Sequence, residues 1–280
     1  VVERIVVGVL DTAASRRALE WAAGRARSRG ASLLLVYVVG GAVGAVGEGA
    51  VVEAAIASAD DLLQAHARSL EADGLTVDVA VLRGDPVRQL VSMTSEAALL
   101  VIGSDYRSDD RDSPRRGVHG QRIVAGAACP VVVIPDVSTE GRRGVVVGVD
   151  GSPTSEAAVA FAAAEADRLG EPLIPVTVWT PVALPRGQKT YPDQYLTSMQ
   201  ALSEEALALA VAGLRQSYPD LELRSRVERG YPSVVINRLA SAATMTVVGS
   251  HGRGAVARFL LGSISQEVVA ALVAPTAVVR

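Results

Sequence analysis

Halfway along, the chain begins again. Gly144–Val149 restates Ile5–Val9, and Ser155–Leu169 keeps the helical spacing of Ser15–Arg29. Arg229-Gly230-Tyr231-Pro232 restates Arg83-Gly84-Asp85-Pro86, and Ala274–Val279 answers Ala128–Val133, all at an offset of 140 to 146 residues. The 280 residues are therefore two copies of one unit, and each copy must reach the same architecture. The stretch Pro135–Arg143, PDVSTEGRR, has linker composition. It places the domain boundary so that residues 1–138 form one domain and 139–280 the other.

Within the first copy, strand and helix patterns alternate. Arg4–Leu10 is a β-branched run of the kind buried on both sides in a parallel sheet, and Ser15–Arg29 carries Ala18, Leu19, Ala22, Ala23 and Ala26 at helical spacing. Ser32–Val38 reads as the second strand, Val51–Ala72 as a long helix and Thr76–Leu82 as the third strand. Asp85-Pro86 starts a helix with a cap and a proline at its first position, and Leu99–Gly103 is the fourth strand. A charged loop, Ser104–Arg116, leads to a helix over Gln121–Ala127 and a last strand, Val131–Ile134. Such alternation implies an α/β fold: two tandem, doubly wound, Rossmann-like parallel sheets of strand order 3-2-1-4-5. In that order a ligand crevice opens between strands 1 and 4, where Val149-Asp150 and Gly249 end their strands.

The stretch Val247–Ser265, VVGSHGRGAVARFLLGSIS, carries the most chemistry. It reads as strand, glycine loop, helix, with Ser263 at the expected helix N-cap. Glycines at 249, 252 and 262 allow backbone to approach a ligand, and a helix N-terminus attracts anions. On spacing alone, a phosphate site and a plain connecting loop ahead of a capped helix both satisfy the pattern.

Charge and composition exclude several classes. A net charge of −3, with arginines scattered among acids, offers no field for nucleic acid. No apolar run approaches the ~20 residues of a membrane span, and the chain enters RIVVGVL without a basic region, so neither membrane insertion nor export is expected. The lone Cys129 cannot form an internal disulfide or a cysteine zinc cluster, which fits a buried apolar role and a reducing cytoplasm.

Gly249-x2-Gly252-x9-Gly262-Ser263 resembles the nucleotide-binding signature of the universal stress protein family, and both halves resemble that family's domain. The resemblance implies an ATP or other adenine-nucleotide site in the second half, serving a nucleotide-dependent stress regulator. Asp150, after Val149, would lie beside adenine. Val178 and Val248 would line the adenine slot, and Gly249, Gly252, Gly262, Ser263, Ile264 and Ser265 would hold ribose and phosphates. Ser152 and Ser155 read as helix-start residues. A divalent cation, Mg²⁺, would enter with the phosphates, held by them and by water, because the loop has no carboxylate pair. The resemblance also implies an intrachain pseudo-dimer through the last strands, Val131–Ile134 and Thr276–Val279, and is compatible with a homodimer of chains.

The first half departs from the pattern. Leu10 stands at the Asp150 position with Asp11 one residue on, Tyr106 replaces the second glycine, the loop is one residue longer, and Val118 stands where Ser263 stands. A degenerate site is expected there. Arg107, Arg111, Arg115 and Arg116 could remake an anion site, but Asp105, Asp109, Asp110 and Asp112 among them favour a solvated loop.

Other motifs do not complete. Gly187-Gln188-Lys189-Thr190 lacks the glycine a phosphate loop needs directly before its lysine, and Gly41, Gly44 and Gly47 have no lysine after them. There is neither H-E-x-x-H nor G-x-S-x-G. His66 falls in a helix, His119 in a loop, and His251 and Arg253 at solvent-facing loop positions. No general base presents itself, so binding is expected, with hydrolysis of ATP slow at most.

Overall fold

The computed structural model describes residues 3–40, 48–104, 118–184, 190–252 and 261–280. The chain divides into two compact units, Val1–Ser138 and Thr139–Arg280.

The first unit runs β1 (Arg4–Gly8), α1 (Ala13–Arg29), β2 (Ser32–Val39), α2 (Glu48–Ala72), β3 (Val77–Arg83), α3 (Pro86–Met93), β4 (Leu99–Gly103), α4 (Val118–Gly126) and β5 (Val131–Ile134). Its strands are parallel in the order β3-β2-β1-β4-β5. The second unit runs β6 (Val145–Gly148), α5 (Pro153–Leu169), β7 (Leu173–Trp179), α6 (Asp193–Val211), α7 (Leu214–Ser217), β8 (Arg226–Arg229), α8 (Pro232–Ala240), β9 (Met245–Gly249), α9 (Ser263–Ala271) and β10 (Thr276–Val279). Its strands are also parallel, ordered β8-β7-β6-β9-β10. Numbered within its own copy, each sheet has the expected order 3-2-1-4-5.

Burial explains the β-branched runs. Ile5, Val6 and Val7 of β1 and Val145, Val146 and Val147 of β6 are each at most 1% exposed, so alternate residues face helices on both sides of the sheet. The helices after these first strands start and stop by the same chemistry in both units. Thr12 and Ser152 accept the N–H of Ser15 and Ser155 in their first turns, and Gly30 and Gly170 close them at φ +63°. Their sheet-facing residues are small: Ala18, Ala22 and Ala26 in α1, Ala158, Ala162 and Ala166 in α5, all fully buried. In α3, Asp85 accepts the Arg88 N–H at 2.9 Å, and that bond holds its carboxyl below the usual range. Cys129 is buried, as its isolation implied.

Several boundaries differ from the sequence reading by one to three residues, and two of them bear on the strand ends. β1 ends at Gly8, because the Leu10 N–H turns away from the ladder to the Ser15 hydroxyl at 2.9 Å. α4 begins at Val118 rather than Gln121, so His119 lies in a helix and not in a loop. Gly120 lowers helix propensity there, but burial of Ile123 and Val124 outweighs it. Tyr106, the Asp105–Arg116 charges, Gly41, Gly44, Gly47, Gly187–Lys189 and Arg253 lie outside the described residues.

Candidate functional site

β6 and β9 lie side by side at the centre of the second sheet, and their carboxyl ends open the crevice that the strand order predicts. Val149, Asp150, Val178, Val248, Gly249, Gly252, Gly262, Ser263, Ile264 and Ser265 all line one cavity there of about 390 Å³. Gly148, Ser155, Val176, Pro232, Ile236 and His251 complete its wall. Pro232 and Ile236 were not singled out from sequence. The signal was their spacing of four, which puts both on one face of α8.

A chain of short contacts joins the two halves of the crevice. The Asp150 carboxylate accepts the Ser152 N–H at 2.9 Å and the Ser152 hydroxyl at 2.6 Å. Ser152 in turn caps α5, and the Ser155 hydroxyl accepts the N–H groups of Asp150 and Gly151. Both serines therefore start the helix, as read. The Thr154 hydroxyl reaches across to the His251 carbonyl at 2.5 Å. Gly252 sits so close beneath Asp150 that a Cβ there would lie 2.6 Å from its Oδ2. A side chain at 252 would therefore have to displace the Asp150 carboxylate, which lies at the exposed edge of the loop.

Thr154 makes this tether specific. In the first unit, Ala14 stands at the corresponding position and has no hydroxyl. Thr154→Val keeps the volume and removes a bond worth about 1 kcal/mol, so amide exchange at His251 and Gly252 should quicken about fivefold. Thr154→Ser should not show this change. Equal exchange rates in the two variants would remove the tether from the account.

The helix α9 begins differently from the sequence reading. Gly262, extended at φ −62° and ψ 151°, is the N-cap, and Ser263 is the first helical residue. The reason is backbone: the Gly262 carbonyl accepts the first helical bond, from Gln266 N, while its own N–H is held by the Ser250 carbonyl at 2.8 Å. The N-cap glycine has no side chain to cap this end, and Ser263, Ile264 and Ser265 of the first turn line the cavity. Ser265 is buried, and its hydroxyl donates to the Gly249 carbonyl at 2.5 Å, pinning the helix to the end of β9.

His251 is not solvent-facing. It is half-buried on the cavity wall, with Nδ1 3.0 Å from the Ser250 hydroxyl and Nε2 shielded from solvent. The Ser250 hydroxyl and the Arg280 charge lie near the ring, a proximity that loop composition could not reveal. Burial, and then the Arg280 charge, lower its pKa. A base with a depressed folded pKa contributes stability that is fully present above its unfolded value of 6.5 and is lost as pH falls from there through the lower folded value. Between about pH 7.5 and 5.5 the melting temperature should therefore fall less in His251→Gln than in the wild type. Parallel pH profiles would refute this.

Among the described residues no three His, Cys, Asp or Glu side chains gather to hold a metal ion, and no helix is long and apolar enough to cross a membrane. The first unit has its own cleft at the equivalent strand ends, about 140 Å³, with Leu10 on its wall.

The Usp model of the universal stress protein family matches residues 2–135 and again 141–280. A universal stress protein of Mycolicibacterium smegmatis is 32% identical over 290 residues, covering 99% of this chain and 96% of the relative. One from Mycobacterium tuberculosis is 31% identical over 293 residues, with the same coverage. Among solved structures, a universal stress protein from Archaeoglobus fulgidus shares the fold, with a TM-score of 0.69, 18% identity, and coverage of 99% of this chain and 96% of that one. Two family matches in succession, on two sheets of identical strand order, account for the internal repeat: the chain belongs to the universal stress protein family and carries its domain twice.

Proposed function

We propose that the protein binds one adenine nucleotide, ATP, in the second unit and acts as a nucleotide-dependent regulator in a stress response. One observation carries the reading: the ten residues that match the family's binding signature line a single cavity at the strand switch point. The cradle fits a phosphate chain. Gly252 brings bare backbone beside the Asp150 carboxylate, and α9 meets the cavity with its positive end and no side-chain cap. Asp150, Val178 and Val248 would receive the base, and Gly249, Gly252, Gly262 and the first turn of α9 the ribose and phosphates. Mg²⁺ would enter with the nucleotide, held by phosphate oxygens and water. Tight metal binding at the glycine loop without nucleotide would count against this.

The first unit would not bind ATP, since Leu10 offers no carboxylate and Gly120, two residues into α4, has no hydroxyl where Ser265 has one in α9. The two units would pair within the chain through their short, uncharged last strands, Val131–Ile134 and Thr276–Val279, which as bare edges would invite association. The reading is completed by a reducing, cytoplasmic location, in keeping with the lone buried Cys129.

Calorimetry with ATP, run beside a phosphate-release assay, tests the whole. One bound nucleotide per chain with negligible release supports a binding protein. Sustained release makes it an ATPase, and no heat at all leaves a non-binding scaffold.

A further inference from the structure

We propose that the cleft of the first unit is a site for a compact, uncharged apolar molecule of about one ring, distinct from the nucleotide site and independent of whether ATP binds the second unit. The cleft keeps the position of its counterpart and loses its chemistry. Its volume is about 140 Å³ against about 390 Å³ in the second unit, too little for a base, sugar and phosphates together. Val36, Val38, Leu90, Ile102 and Ile123 form its walls, and Leu10, 47% exposed, stands at its edge where the second unit presents Asp150.

Besides His119 and Gly120 of the first turn of α4, the polar groups along this wall are committed to the chain itself. The Thr12 hydroxyl accepts the Ser15 N–H at 3.1 Å, and the Ser15 hydroxyl accepts the Leu10 N–H at 2.9 Å. The Leu10 carbonyl takes the Thr12 N–H, and the Val9 N–H is spent on Val36. A water molecule needs two to four polar partners, and these walls offer it few, so displacing water by an apolar molecule is favourable. Size points the same way, because an apolar cavity of about 150 Å³ is known to take benzene. A cation would lose its hydration against the apolar side chains of this cleft.

The test uses the two-unit chain, methyl-labelled for NMR, titrated with benzene and separately with cyclohexylammonium as a charged molecule of similar size. Benzene should give saturable shifts confined to methyls of the cleft walls, Val36, Val38, Leu90, Ile102 and Ile123, unchanged by saturating ATP, while cyclohexylammonium gives none. Leu10→Asp, at an exposed position that tolerates a charge, should weaken benzene binding at least ~10-fold. Val38→Phe should abolish it by filling the space. The proposal is overturned by the absence of saturable shifts up to the solubility of benzene, by benzene shifts at Val178 and Val248 instead, or by Leu10→Asp binding as the wild type does. If Val38→Phe does not fold, Leu10→Asp alone still decides.

Discussion

Gly262→Asp abolishes the ATP-induced rise in melting temperature while leaving the apo protein folded. The separation of the two effects comes from the position of this residue. Gly262 is the N-cap of α9, its φ of −62° suits any residue, and an added Cβ would meet nothing nearer than 3.4 Å. Aspartate is also a preferred N-cap, favoured by the helix dipole, so the apo protein should be as stable as wild type or slightly more so. A phosphate at the same helix end would face a second negative charge. Like charges ~4 Å apart near a protein surface repel by about 4 kcal/mol, a loss on the order of a thousandfold in affinity.

In the wild type, ATP at ~100 times its dissociation constant stabilises the native state by about 2.7 kcal/mol, which is several degrees for domains of this size. Gly262→Ser, a neutral cap of similar bulk, should keep most of that shift and so show that charge, not volume, is responsible. A full shift in Gly262→Asp would move the phosphates away from α9. Two equivalent sites by calorimetry would overturn the assignment of binding to the second unit alone.

The largest effect on stability is expected at Gly103, the last residue of β4. A Cβ there would lie 2.6 Å from the Ser15 nitrogen, 2.7 Å from the Ala14 carbonyl carbon and 2.9 Å from its oxygen. All three are backbone atoms in the first turn of α1, and they cannot rotate away as a side chain would. Gly103→Ala must push helix and sheet apart, an overpacking that costs about 1–3 kcal/mol. At Gly249, the equivalent position of the second unit, the nearest atoms are the carbonyl carbon and hydroxyl of Thr154 at 3.0 Å, so Gly249→Ala should cost less. The chain's two tryptophans allow the units to be followed separately: Trp21 lies in α1 and Trp179 in β7. In a Trp179→Phe background, the urea midpoint reported by Trp21 should drop clearly for Gly103→Ala. An unchanged midpoint would mean that α1 is not held against β4 as tightly as the geometry requires.

Much of this molecule is written in short-range pattern. The β-branched runs, the capping residues Thr12 and Ser152 with their closing glycines, and the Asp85-Pro86 helix start all act within a few residues of themselves. Reading them in order yields the strands, the helices and the duplication. Strand order follows almost as directly, because right-handed crossovers leave few ways to close a βαβ series. The residues on the cavity wall were legible for the same reason, since strand ends and a glycine loop fall at predictable places in such a sheet.

Residue order alone thus made legible the repeated α/β unit, its parallel order and the crevice at the ends of β6 and β9. Tertiary structure alone decided the details that depend on residues distant in the chain. Thr154 meets His251 across 97 positions, Gly252 lies against the Asp150 carboxylate, and His251 is half-buried with Arg280 near. The start of α9 turned on backbone angles, since glycine and serine are both acceptable caps and only φ and ψ distinguish which one serves. The size of the first unit's cleft was likewise a matter of packing, since volume is set by how side chains from separate strands and helices interlock.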